Sequence, residues 1–422
     1  MISLISLLLN TFRPSLLFVA STIVTTGALH FPAKYHRVFL LPTWLLAAWS
    51  LFSIDSKKAL GGIIGLDSYT AFTSTIFMLI LPSILFMQKH SLVAKPDNTP
   101  AAASSSSVIL RPNRHTISAA CRIWNNPRHL KFRQPGPGST PWRSLLFFTL
   151  RSGLKVAAIV IIDRMLVKKI QAHLFANSNV LDFTPDQLPI IRPLLGIRID
   201  EEDVDPISRH QFLLRAFISV SWIWANFVFL ESCHAILAIF FVAILRLDNP
   251  EDWPSLFGNI ADAWTVRRFW GRFWHRIATP TLSQWTRIII QRVLHLQLTT
   301  GVAKTVEAFG IFFLSGLAHA LASWRTGEGF AHLDILFFCA NFVVVAVEIL
   351  VARLWKYAVK GTWIELELRR NSKLRVVGRI LGLVWVFSWF FWMVPRWLYP
   401  KALRLSIKQA LMIESLMLNA KS

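Results

Sequence analysis

The 422-residue chain is 54% hydrophobic, has a mean hydropathy of +0.47 and carries only 16% charged residues, against about 25% in an average soluble domain. That balance excludes a water-soluble globular domain and points to a polytopic membrane protein. Its 45 Lys and Arg against 23 Asp and Glu give a formal charge of +22. The basic residues collect beside apolar runs instead of forming a compact basic domain, so nucleic acid is not an expected partner.

A helix needs about 17 to 25 apolar residues to cross a hydrocarbon core. Such runs fall at 14–31, 38–54, 69–87, 216–245, 308–323, 335–352 and 380–394, with weaker candidates at 59–66 and 145–162. They predict an all-α polytopic membrane protein, a bundle of about seven to nine transmembrane helices, because helices satisfy their own backbone groups in lipid. No basic segment precedes the first run and no small-residue cleavage pattern follows it, so it reads as a retained span rather than a secretory signal.

Composition divides the chain further. Residues 1–88 read as N-terminal transmembrane helices, and 89–142 as a basic, partly flexible polar loop with an AAASSSS linker at 101–107 and a turn-forming QPGPGSTPW at 134–142. Residues 143–422 read as a helical core interrupted by an acidic excursion at 184–209 and an aromatic loop at 253–276. Basic residues concentrate at 89–164, 246–304 and 353–379, which the positive-inside bias assigns to the cytoplasm. Such charge serves topology and anionic-lipid contact, or a phosphate-rich ligand. Cys121, Cys233 and Cys339 are too far apart for a disulfide framework or a metal spacing.

The loop WPSLFGNIADAWTVRRFWGRFWHR, 253–276, is dense in aromatic residues and arginine. Taken as an α-helix over 267–276, it gathers Phe269, Trp270, Phe273 and Trp274 on one arc and sets Arg267, Arg268, Gly271, Arg272, His275 and Arg276 on the other. That is the pattern of a helix lying in the membrane interface. A histidine centred on the basic face, and a glycine where alanine would be more stable, point further, to a water-accessible cleft.

His319 stands in the uncharged run 308–323, and an ionisable residue at that depth is a functional-site candidate. Ser315 and Gly316 lie one turn before it and Ser323 one turn after, a small, slightly polar face that reads as a groove for a substrate or as a close helix–helix contact around a core histidine. Imidazole titrates near neutral pH and can take a proton from a hydroxyl. Among other membrane ionisables, Glu231 shares a helix face with His234 or marks a break between two short helices. Glu348 is expected to pair with Arg353 or a neighbouring helix, and Asp163 and Arg164 to lie at the interface. No HExxH, GxSxG or Walker-type pattern occurs, so a metal centre, a serine hydrolase and an NTPase are not expected.

RRFWGRFWHR at 267–276, preceded by LFGNIADAWTV, resembles the signature loop of wax-synthase-like proteins in the membrane-bound O-acyltransferase superfamily. FFLSGLAHAL at 312–321 resembles that family's helix with the active-site histidine, here His319, and GSTPW at 138–142 resembles the segment opening its core; the likeness covers roughly 130–400. In many members the last polar position of the loop is asparagine; here it is His275, as in fungal wax-synthase-like members. The resemblance implies a reaction tunnel within the bundle and acyl transfer from acyl-coenzyme A to a hydrophobic alcohol beside membrane lipids. It needs no permanently bound cofactor and no metal, and it implies an integral protein of the endoplasmic reticulum. His319 would be the general base, and His275 would stabilise the oxyanion or orient the thioester. Arg268 and Arg272 would hold the coenzyme phosphates, with Trp270 and Trp274 anchoring the loop beside them in the interface, and Ser315 and Gly316 would leave room for the acceptor. The loop wording resembles the branch that acetylates terpenoid and meroterpenoid hydroxyls in secondary metabolism, so acetyl-CoA is the expected donor. Long-chain wax or sterol ester synthesis, and a non-catalytic transporter, are the alternatives.

Overall fold

The computed structural model describes residues 2–54, 66–87, 92, 111–130, 141–176, 178–189 and 207–419. The linker at 101–107, most of the turn segment at 134–142, the weak span at 59–66 apart from Leu66, and the acidic residues at 200–205 lie outside the described residues. The chain is an all-α polytopic membrane protein, and no strand occurs among the described residues. Its main helices are α1 (Ile2–Ala28), α2 (His36–Phe52), α3 (Leu66–Pro82), α4 (Arg114–Trp124), α5 (Trp142–Ile162), α6 (Lys168–Ala176), α7 (Arg209–Ile239), α8 (Thr279–Arg292), α9 (Gly301–Thr326), α10 (Ala331–Val359), α11 (Trp363–Arg370) and α12 (Ser372–Asn419).

Seven stretches among the described residues are long and apolar enough to cross a membrane: Leu7–Ala28, Asp67–Met87, Trp142–Ala176, Arg209–Ile244, Gly301–Thr326, Ala331–Val359 and Ser372–Lys408. The run at 38–54 forms α2, whose 17 residues reach only about 25 Å at ~1.5 Å per residue. The weak run at 145–162 instead becomes a stretch of 35 residues. Lys155 makes that run look unfavourable in sequence, but its charge is met by Glu231 from α7 at 2.6 Å. The last run passes Pro395 and Pro400 without ending, because a proline in a packed membrane helix kinks it rather than stopping it.

Two compact units make up the chain. The first consists of residues 1–149, 238–254 and 276–338. Within it α1, α2 and α3 pack through small and hydroxyl residues, with the Ser21 hydroxyl donating to the Thr43 carbonyl at 2.8 Å and the Ser50 hydroxyl to that of Pro14 at 2.7 Å. Helix α9 joins them, Ala322 packing with Leu51 and Ala71, and α8 follows as the Trp285 indole donates to the Leu79 carbonyl at 3.0 Å. Helix α4 clasps the connector after α7: Arg122 reaches Asp248 at 3.0 Å and Asp252 at 3.1 Å, and the Trp253 indole donates to Asp248 at 3.2 Å.

The second unit consists of residues 150–237, 255–275 and 339–422. Several polar groups in its spans are paired inside the unit, which offsets the cost of burying them in a low dielectric. Asp163, expected at the interface, sits in a π-helical turn within the Trp142–Ala176 stretch and accepts the Trp224 indole at 3.0 Å.

Candidate active site

The aromatic loop of the second unit is built on two carboxylates, one buried and one half-buried. Glu231 is 1% exposed in the unbroken α7, so it marks no break. One of its oxygens accepts the backbone N–H groups of Leu256 and Phe257 at 2.9 and 3.2 Å, and the other takes Lys155, whose ammonium also donates to the Ser255 hydroxyl at 3.2 Å. Glu348 on α10 accepts the N–H groups of Val266 and Arg267 at 2.7 and 2.9 Å, together with the Trp385 indole at 2.8 Å. These amides open the short helical turn Val266–Arg268, where orphan donors and the helix dipole favour a carboxylate. The contacts observed for Glu348 are thus to the loop and to α12, rather than to Arg353.

Between these points the loop closes on itself. The Gly258 N–H donates to the Phe273 carbonyl at 2.8 Å, and a Cβ on Gly258 would collide with the carbonyl oxygen of Arg272. The expected α-helix to Arg276 is not formed. After Arg268 the backbone widens into a π-turn over Phe269–Phe273, and Trp274 is extended at φ −66°, ψ 145°. Three of the four rings of the aromatic arc, Phe269, Phe273 and Trp274, are buried within the protein; Trp274 lies 4.9 Å from the Trp222 ring and Phe269 4.8 Å from Phe390. The Trp270 indole donates to Asn341 at 3.0 Å, as does that of Trp389. Packing among protein rings buries more apolar area than an interface does, and it corrects the expectation that Trp270 and Trp274 anchor the loop in the headgroups.

The polar members fare differently. Arg268 donates to the backbone and side chain of Asp262, both at 2.8 Å, and stacks over Trp264 at 4.4 Å, so part of its guanidinium holds the loop in shape. Arg272 and Gly271 are exposed, and no heavy atom lies within 4 Å of where a Cβ on Gly271 would stand. Half-buried His275 lies 5.1 Å from the Trp274 ring and meets Phe257 edge-on at 5.5 Å.

His319 belongs to the first unit. Its helix α9 begins at the Thr300 cap, whose hydroxyl accepts the Ala303 N–H at 3.1 Å, and ends at Gly327 in the left-handed region at φ 72°. The imidazole is half-buried between Phe72 of α3, with ring centroids 4.3 Å apart, and Phe338 of α10, at 4.8 Å. Gly316 is not the open groove that the small face suggested. A Cβ there would stand 2.9 Å from the Ile335 Cα and 3.2 Å from the Phe338 Cβ, so the glycine lets α10 close on α9. Ser315 beside it is half-buried. Ser323 is buried and donates to Glu328 at 3.3 Å.

Sequence reasoning passed over Lys155, Asn341, Phe72 and Phe338, and underrated Glu231 and Glu348. The two glutamates carry a readable signal, an acid within an apolar span. Lys155 carries the same signal, a charge within an apolar run; Asn341, Phe72 and Phe338 carry none, since their meaning lies in partners far along the chain.

Residues 253–340 match the family described as membrane bound O-acyl transferase. The chain is 34% identical over 154 residues to acetyltransferase ple2 of Rhodocybe pseudopiperita, covering 36% of this chain and 37% of that protein. It is 26% identical over 195 residues to acetyltransferase atnC of an Arthrinium species, covering 46% and 43%. It is also 24% identical over 278 residues to acetyltransferase fsoF of Humicola fuscoatra, covering 65% and 63%. The chain thus spans less than half the length of the first two of these relatives. No solved structure matches it.

Proposed function

We propose that this member of the membrane bound O-acyl transferase family transfers an acetyl group from acetyl-CoA to a hydroxyl of a hydrophobic terpenoid or meroterpenoid alcohol. The setting would be the endoplasmic reticulum membrane, in secondary-metabolite biosynthesis. The observation that carries the reading is a single one: inside the family-matched stretch, an otherwise uncharged run of α9 holds His319 half-buried between two phenyl rings. The names of the similar proteins, all acetyltransferases, favour a short acyl group.

In this reading His319 takes the proton of the acceptor hydroxyl as its oxygen attacks the thioester carbonyl. The carbonyl electrons move to oxygen, and His275 donates a hydrogen bond to that oxyanion. Collapse re-forms the carbonyl and breaks the carbon–sulfur bond, and the imidazolium returns the proton to the leaving thiolate, so His319 ends neutral. Arg272, an exposed guanidinium of the loop, pairs with coenzyme phosphate. Water is kept from competing with the alcohol by the apolar spans.

The test is ester formation in microsomes carrying the full chain, with labelled acetyl-CoA or palmitoyl-CoA and a panel of terpenoid and sterol alcohols. Label from acetyl-CoA is expected in the product, and it is expected to vanish in His319→Ala at equal protein level. Product from palmitoyl-CoA alone would replace acetylation with long-chain ester synthesis. Undiminished turnover by H319A would remove the base assignment.

A further inference from the structure

We infer that Phe72 and Phe338 are positioning residues that clamp the His319 imidazole, an inference that rests on His319 being the base. The Phe72 and His319 rings are near-parallel, with centroids 4.3 Å apart and planes at 27°; on the other side Phe338 stacks at 4.8 Å and 18°. With both faces covered, only the edge of the imidazole, where its nitrogens are, is presented to reactants. The last torsion of a histidine is broad and soft, and two flat walls confine it. The positive ring formed on proton transfer also meets two aromatic faces, which attract a cation.

The helices are set so that this stack can form. Gly316 has no Cβ to hold α10 away, and the room it leaves is taken up by Ile335 and Phe338. On the other side α3 is drawn to α9 by the small contact of Ala71 with Ala322, and the Ser68 hydroxyl donates at 2.9 Å to Glu328 just past the end of α9. Phe72 lies far outside residues 253–340, so an N-terminal span that carries none of the family signature supplies one wall of the base.

Phe72→Leu and Phe338→Leu keep apolar bulk and remove the flat face; Phe72→Tyr and Phe72→Trp keep it. Each is measured as the full chain in microsomes for kcat, for KM of both substrates and, after extraction, for Tm. F72L and F338L are expected to lower kcat about 10-fold to 100-fold with KM changed less than about 2-fold, while F72Y or F72W stays within about 3-fold of wild type. Wild-type kcat in both leucine variants overturns the clamp. So does an equal loss in the leucine and aromatic variants at matched Tm, since the exact shape of the side chain rather than a ring face would then be the requirement. H319A separates the two levels: an active H319A removes the base and the clamp together, whereas an inactive H319A beside active F72L and F338L removes the clamp alone.

Discussion

Glu348 reaches the Val266 backbone amide at 2.7 Å across 82 residues of sequence, so a transmembrane helix caps the first turn of the aromatic loop. Removing that carboxylate strands two amides and the Trp385 indole. Glu348→Ala is expected to cost about 2 to 4 kcal/mol and to abolish acyl transfer, whereas Glu348→Gln, which keeps one acceptor oxygen, costs about 1 kcal/mol. Tm and specific activity of the two variants, compared side by side, check this.

The Lys155–Glu231 pair calls for a double-mutant test. Glu231→Ala leaves Lys155 without its carboxylate and frees the Leu256 and Phe257 amides, an expected loss of about 3 to 5 kcal/mol. Lys155→Met with Glu231→Gln removes both charges while keeping an acceptor for the amides, and is expected to regain more than half of it. If the double variant is no more stable than E231A, charge compensation is not what the pair provides.

Gly258 is fixed by contact, since its position leaves no room beside the Arg272 carbonyl. Gly258→Ala is expected to cost about 1 to 3 kcal/mol and to loosen the strand of loop that ends in His275. Faster tryptic cleavage after Arg272 and Arg276, with weaker ester formation, is the expected readout.

In the proposed chemistry His275 and Arg272 separate by kinetics. His275→Ala removes an oxyanion donor and is expected to lower kcat about 100-fold, with His275→Asn recovering to within about 10-fold because an amide still donates. Arg272→Gln is expected to raise KM for acyl-CoA about 10-fold with little change in kcat. The opposite split, kcat for Arg272 and KM for His275, would exchange the two roles.

Outside the spans, burial pushes the Asp248 carboxyl above its usual range, against the pull of Arg122. A carboxyl raised in the folded state opposes folding once ionised, so its contribution is present at low pH and is lost as pH rises through the folded value. Asp248→Asn is expected to flatten that part of the stability profile, with little loss at neutral pH. Arg122→Met, which leaves Asp248 and Asp252 uncompensated, is expected to cost about 3 kcal/mol or more at neutral pH. Tm of the detergent-extracted protein between mildly acid and neutral pH measures both.

Spans were legible because the bilayer imposes a length and a hydropathy that composition alone reveals. Asp163 and Arg164 hid the true extent of the run at 145–162, since a charge reads as an end until its partner is known, and the Trp224 indole that Asp163 accepts lies 61 residues away. The loop was legible as a motif and misread as a shape: aromatic and basic residues at helical spacing suggested an interfacial helix, yet Trp222, Phe390 and Asn341 supply protein partners for the same rings. His319 was legible as an imidazole in an uncharged run. Its two flanking rings were not, because Phe72 and Phe338 are unremarkable phenylalanines until the helices are packed.

The ion pair inside the second unit bears on how the chain enters the bilayer. An isolated Lys at the centre of a span opposes insertion by roughly 2.5 to 3.5 kcal/mol, and an isolated acid does so too. Lys155 would be left in lipid until α7 arrives with Glu231. Passing α5 and α7 from the translocation machinery into lipid as a hairpin spares both helices that exposure. The same carboxylate seats the Leu256 and Phe257 amides, so the helix that answers Lys155 also carries one of the two docks of the aromatic loop.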